Sequence, residues 1–324
     1  MQKLAPRASF SEAVFLTKIM YIVKHRNIFF GLTATIVVVA LLSLVAFGLH
    51  LGIDFTGGTL VEISYKSARP DAQLVQKALD GLDFHGYSLR ETGTNGYTLR
   101  TATLTNEQRS ALAGLFSING AQATVDQLTE IGPTIGTELR NKALLALGLV
   151  LLCILLFIAF AFRKVSQPVS SWVYGLIALV TLVHDVIVPV GFYAALGHFA
   201  GAEVDTLFVT AVLTVLGFSV HDTIVVFDRT RENLAINKDR NRKEPFEGTA
   251  GRALGQTFVR SINTSLTVLI TLLVLFFVGP ESTKWFALTL LVGIVAGTYS
   301  SIAFATPLLV ESEKWFSSGR KSNK

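Results

Sequence analysis

Asp222 is a carboxylate set inside an apolar run, Leu207 to Phe227, that is long enough to cross a bilayer and is followed at once by Asp228, Arg229, Arg231 and Glu232. An acid at the centre of a membrane helix costs roughly 2.5–3.5 kcal/mol on translocon scales, so its presence calls for a use. The chemistry open to it is proton exchange, tuned by a nearby cation. The next apolar run offers that cation: Arg260 opens it, and Asn263, Thr264, Thr267 and Thr271 continue from Arg260 along one helical face. Such a stripe should not face lipid. The spacing therefore predicts that it faces Asp222, with guanidinium and carboxylate each offsetting the other's burial. A static ion pair locking two helices is the other use of the same residues.

The dipeptide His184-Asp185 in the preceding run repeats His221-Asp222. Two buried acids with neighbouring imidazoles suggest a proton relay. Counting from the inner membrane edge, however, places Asp185 about 14 residues up, roughly 21 Å, against about six residues for Asp222. The two are not expected to touch, and Asp185, with His184 and His221, is assigned a structural or secondary polar role. Other chemistries lack their residues. No phosphate-binding glycine loop and no His-Glu-x-x-His occurs, and the six histidines include no ligand-spaced pair on one helix. The single cysteine, Cys153, permits neither a disulfide framework nor a thiolate cluster. The sequence thus predicts no enzyme activity, no metal and no cofactor, with protons as the coupling ion.

Of the 324 residues, 51% are hydrophobic and 16% charged, the composition of a polytopic membrane protein. The net charge of +5 is gathered beside the apolar runs, which speaks for membrane orientation and against nucleic acid. Residues 1–27 are basic, with Phe10, Val14, Phe15, Leu16, Ile19, Ile22 and Val23 at roughly helical spacing, and predict an amphipathic segment on the cytoplasmic membrane surface. The first span is read as 28–51, centred on Ile28 to Leu49. Residues 52–142 follow a strand-helix-strand-strand-helix-strand pattern: Thr59 to Tyr65, Asp71 to Leu79, Tyr87 to Glu91, Tyr97 to Thr101, a helix capped by Thr105, and Ala121 to Leu128. Asn95-Gly96 supplies the hairpin turn. That order is the ferredoxin-like α+β arrangement.

Residues 143–310 hold five further runs, Ala143 to Phe162, Trp172 to Tyr193, Leu207 to Phe227, Ser261 to Val278 and Trp285 to Val310. Lys and Arg crowd residues 1–27, Arg163-Lys164, the predicted loop 228–260 and the tail 311–324, whereas Ala194 to Thr206 has none. Positive-inside bias puts both termini in the cytoplasm and the α+β domain outside. Gly293 and Gly297, four apart in the last span, predict close helix packing.

Two stretches carry a resemblance: Gly52-Ile53-Asp54-Phe55-Thr56-Gly57-Gly58-Thr59 directly after the first span, and Gly217 to Asn233. Together they resemble the SecF branch of the SecD/SecF family of bacterial protein-export membrane subunits, within the RND superfamily, over essentially the whole chain. The resemblance implies a six-span RND-type half in the bacterial cytoplasmic membrane. It also implies partnership with SecD, the SecYEG translocon, the translocating preprotein and YajC, and proton-motive-force-dependent help to preprotein movement. Asp222 corresponds to the family's membrane acid and Arg260 to the Arg at the start of its fifth span; the second membrane acid belongs to SecD. At 221 this chain has His where some relatives have Asn. Gly52, Asp54, Gly57 and Gly58 form a turn with some hinge character. A passive assembly subunit, or a small-molecule exporter half of the same superfamily, is the alternative.

Overall fold

The computed structural model describes residues 20–81, 87–163 and 168–322; most of the amphipathic segment 1–27, and Lys164, lie outside them. Among the described residues, six helices are long and apolar enough to cross a membrane: Arg26–Phe47, Pro133–Ala161, Ser171–Ala200, Thr206–Asp239, Phe246–Val278 and Lys284–Trp315. We refer to them as spans one to six. Spans three, four and six are the most buried, and spans one, two and five leave most of their surface outside the bundle. Small residues decide where backbones meet. A Cβ at Gly191 of span three would lie 2.5 Å from Ala40 Cα of span one, and Ser43 of span one donates to the Gly191 carbonyl at 2.7 Å. In the same way a Cβ at Gly293 or Gly297 of span six would collide with Val215 or Ser219 of span four, as the glycine spacing predicts. Span six is interrupted by a π-helical segment, Ser301–Ala305.

Between spans one and two stands a four-stranded antiparallel sheet, β1 Gly58–Tyr65, β2 Ser88–Thr92, β3 Gly96–Thr101 and β4 Ala123–Ile131, in the order β2-β3-β1-β4. The helices Ala72–Asp80 and Asn106–Phe116 pack Val75, Leu79, Leu112 and Phe116 against Val61, Ile63, Tyr97 and Leu99 of the sheet. Thr105 and Gln108 close a capping box at the second of them. The α+β domain expected from sequence is therefore present, with its own core. Its hairpin differs in detail. The turn lies at Gly93 to Asn95, with the positive φ on Gly93, and Gly96 is already the first residue of β3. Gly96 is needed for approach and not for turning, since a Cβ there would lie 2.9 Å from the carbonyl oxygens of both Ile63 and Thr92.

The span limits also move. Span two starts at Pro133, about two and a half helical turns before the end of the soluble domain predicted at 142. The predicted loop 228–260 is mostly helix: span four continues to Asp239 and span five begins at Phe246. Charge pairs three residues apart, Asp228 with Arg231 at 2.8 Å and Arg229 with Glu232 at 2.5 Å, are what a helix surface leaving the bilayer needs. High polarity there marks the end of the membrane, not the end of the helix.

The two ends of the bundle are distinct. At one, Leu51 bridges Val204 in the connection between spans three and four, beneath the sheet. At the other, Arg26 at the start of span one pairs with Glu311 at 2.7 Å and Glu247 at 3.6 Å, joining the beginnings of spans one and five to the end of span six.

Candidate functional site

Spans three, four, five and six bring their buried polar side chains together. Asp185 is fully buried; its Oδ1 lies 2.8 Å from His184 Nδ1, and its Oδ2 accepts the Ser219 hydroxyl of span four. Ser219 is one turn before Asp222, itself only 3% exposed. On the next residue, Thr223 donates to Ser301 at 3.2 Å, at the start of the π-helical segment of span six. Ser261 of span five faces Asp222, yet neither Asp222 Oδ2 nor Ser261 Oγ closes a hydrogen bond. His184 Nε2 is likewise buried without a partner, beside the rings of Tyr299 and Phe304. Asp222 is thus buried among hydroxyl groups, of which Ser219 and Thr223 donate elsewhere and Ser261 has no partner.

The expected contact between Asp222 and Arg260 is not formed. Arg260 is exposed at a cleft with Asp228, Arg229, Glu232 and Gln256, and no ion pair joins it to Asp222 among the described residues. Asn263, Thr267 and Thr271 are exposed with it, and Thr264 is half-buried. The face of span five that meets the bundle is Thr257, Ser261 and Ser265, four residues apart, with Ser265 bonded to Thr298 of span six at 2.7 Å. One position separates Arg260 from Ser261, about 100° around the helix. That rotation carries the predicted stripe to the outside. There Thr267 and Thr271 satisfy their hydroxyls on their own helix, at 2.8 Å and 3.0 Å. His221 is also exposed, turned away from its neighbour Asp222. Asp185 reaches span four at Ser219, one turn before Asp222, and makes no contact with Asp222 through it. Sequence reading passed over Ser261 and Ser301 as partners, because serine in a membrane helix is common and only the fold says which ones face an acid.

The glycine motif after span one forms the joint with the soluble domain. Gly57 has φ 77° and Gly58 φ 129°, and a Cβ at Gly57 would lie 2.7 Å from Pro133 Cα of span two. Gly52 donates to Val204 O at 2.8 Å. Asp54 accepts from the Thr206 backbone N–H at 2.8 Å and from its hydroxyl, holding the first turn of span four. Gly57-Gly58 is therefore a tight turn pressed against span two. Beside it, Arg90 and Arg100 of the sheet reach the connection between spans three and four: Arg100 pairs with Glu203, and Arg90 donates to the Gly201 carbonyl. Burial, then the neighbouring Arg90, push Arg100 down to about 10, against the pull of Asp205 and Asp54.

Residues 113–315 match the family model of the C-terminal part of the protein export membrane proteins SecD/SecF, and residues 42–68 match that of the SecD/SecF GG motif. The protein translocase subunit SecF of Thermobaculum terrenum is 42% identical over 303 residues, covering 90% of this chain and 93% of that one. That of Anaerolinea thermophila is 37% identical, covering 93% and 98%. The crystal structure of SecDF, a translocon-associated membrane protein from Thermus thermophilus, superposes on 97% of this chain with a TM-score of 0.77 at 30% identity. This chain spans 40% of that one.

Proposed function

The chain belongs to the SecD/SecF family of protein-export membrane proteins, and from that premise we propose that it couples proton movement to preprotein export as the SecF half of a SecD–SecF assembly. In this reading the assembly lies in the bacterial cytoplasmic membrane with both termini of this chain in the cytoplasm. It works beside SecYEG on the translocating preprotein, with YajC as a further partner. Asp222 gains and loses the proton, and Arg260 is the cation that tunes it from the seam with SecD. No cofactor beyond the proton and no enzymatic step is required.

One observation carries the reading. A buried carboxylate with an unpartnered oxygen faces Ser261, one helix position from a stripe of exposed Arg260, Asn263, Thr267 and Thr271 with half-buried Thr264, to which no hydrogen bond or ion pair from another span is made among the described residues. In a bilayer an uncovered Arg and Asn are costly, so the stripe calls for a polar protein surface against it. Half of a repeat-built transporter encloses no path by itself, and the seam between halves is where ion sites of such folds lie. Burial favours the neutral acid while a nearby guanidinium favours the carboxylate. Movement of Arg260 toward or away from Asp222 would therefore couple conformation to protonation.

The test is preprotein translocation into inverted vesicles with and without a proton gradient. Asp222→Asn keeps the shape and removes the titration; it is expected to abolish gradient stimulation while the complex with SecD still assembles. Arg260→Met is expected to be as damaging, and the double variant no worse than either, as for residues acting as one unit. Arg260→Lys is no conservative control, because Lys lacks the planar fork and can itself deprotonate. Undiminished stimulation in an assembled Asp222→Asn complex would leave a passive assembly subunit as the better reading.

A further inference from the structure

Two hydroxyls flank Asp222 on its own helix, and both spend their single proton elsewhere. Ser219 donates to Asp185 Oδ2, and Thr223 donates to Ser301. A hydroxyl has one hydrogen to give, so neither serves Asp222, whose Oδ2 is buried without a partner beside the equally unpartnered Ser261 Oγ of span five. The acceptor on span three is set for this task. Asp185 is fully buried, and its other oxygen is held by His184 Nδ1 at 2.8 Å. Its orientation toward Ser219 is therefore fixed from its own helix.

We infer that Asp185 is a positioning residue for Asp222: by taking the Ser219 hydroxyl it withholds a donor from Asp222, and so sets how readily Asp222 holds a proton. The inference rests on the reading of Asp222 as the proton-exchanging group. A buried carboxylate without donors is penalised far more than the neutral acid in the same place, so each donor withheld favours the protonated form. The groups around Asp222 are accounted for as follows. Span three brings His184 and Asp185, span four the exposed His221, span five Ser261 with exposed Arg260 beside it, and span six the hydroxyls of Ser300, Ser301 and Thr306 with Tyr299 against His184. Of these, Ser219 is the group that a change at Asp185 sets free.

The experiment titrates the infrared carboxylic-acid band that Asp222→Asn removes, in the protein purified with SecD in lipid nanodiscs. Asp185→Leu deletes both acceptor oxygens while keeping the branch at Cγ, and releases Ser219 toward Asp222. The midpoint of the band is expected to fall by about one pH unit, the effect of one hydrogen bond gained by the carboxylate. Ser219→Ala alone is expected to leave the midpoint at the wild-type value, since that hydroxyl does not serve Asp222. The double variant is expected to match the wild type as well. A fall that persists in the double variant would assign the effect to the charge of Asp185 and overturn the inference, as would an unmoved midpoint in assembled Asp185→Leu. If Asp185→Leu does not assemble, Ser219→Ala decides, because a rise in its midpoint would show that Ser219 already donates to Asp222. The band reports the proton on Asp222 directly, so failure here is distinct from a finding that translocation does not depend on Asp222.

Discussion

Glu244 shows how single side chains hold the charged end of the bundle together. It lies in the short connection between spans four and five, where Asn237 donates to it at 2.8 Å and Arg252 at 2.5 Å. Burial pushes its carboxyl up, but the hydrogen bonds from Asn237, Arg252 and Thr249 and the Arg252 charge outweigh that and leave it below the ordinary carboxylate value. A folded-state value that is depressed gives stability that is present above the unfolded value and is lost as pH falls through the folded one. Amide exchange across residues 237–252 is therefore expected to be slow at neutral pH and to accelerate on acidification below about pH 4, after correction for intrinsic rates. Glu244→Gln should show roughly five-fold weaker protection already at neutral pH, with little further change on acidification. Equal protection in both proteins would mean that the connection is held by other contacts. Residue by residue, the sequence marked Asp222 and Asp185 for burial, and both are buried. It could not mark Ser219 as the partner of Asp185, because a contact across 34 residues leaves no local pattern.

The joint after span one is the element through which the soluble domain is held. Gly57 and Gly58 combine positive φ with close approach, to Pro133 and to the Thr101 carbonyl respectively, so either glycine is fixed by two independent constraints. Gly57→Ala is expected to weaken this docking by more than about 1 kcal/mol, since Ala at positive φ is strained before the collision with span two is counted. Gly31→Ala, on span one with nothing within 4 Å of its added methyl, is the matched control. Limited proteolysis between residues 48 and 57 in the intact complex measures the difference. Cleavage no faster in Gly57→Ala than in Gly31→Ala would show that the turn tolerates a side chain and that the domain is held mainly by Arg90, Arg100 and Asp54. At this scale the elements themselves were legible. The strand alternation, the Thr105 cap and the 52–59 motif all lie within short stretches, where local chain geometry decides. The hairpin turn was misplaced because Asn95-Gly96 is a turn pair by preference, whereas here the space between three strands demands the glycine in β3 and moves the turn back onto Gly93.

For the whole molecule, the bundle ends make orientation testable. Residues 87–131 and the connection at 201–205 lie at one end, and Arg26, Glu247 and Glu311 meet at the other. With Cys153, exposed on span two, replaced by Ser, single cysteines at Asn95 and Asn241 are to be treated with a membrane-impermeant maleimide in intact cells. Asn95→Cys is expected to label and Asn241→Cys to remain protected; the reverse pattern would invert the topology. The number of spans, the position of the soluble domain and the burial of Asp222 follow from the sequence alone, because hydropathy over some twenty residues and helical periodicity are properties of contiguous chain. Which face of span five meets Asp222 does not. Arg260 and Ser261 are adjacent, and the polar sets that begin from them are both helical stripes. The choice between them is a rotation of the helix about its axis, fixed by contacts such as Ser265 with Thr298 of span six and by the approach of span six to span four at Gly293 and Gly297. Those contacts join residues far apart in sequence, so only the tertiary structure could turn Ser261 inward and leave Arg260 outside.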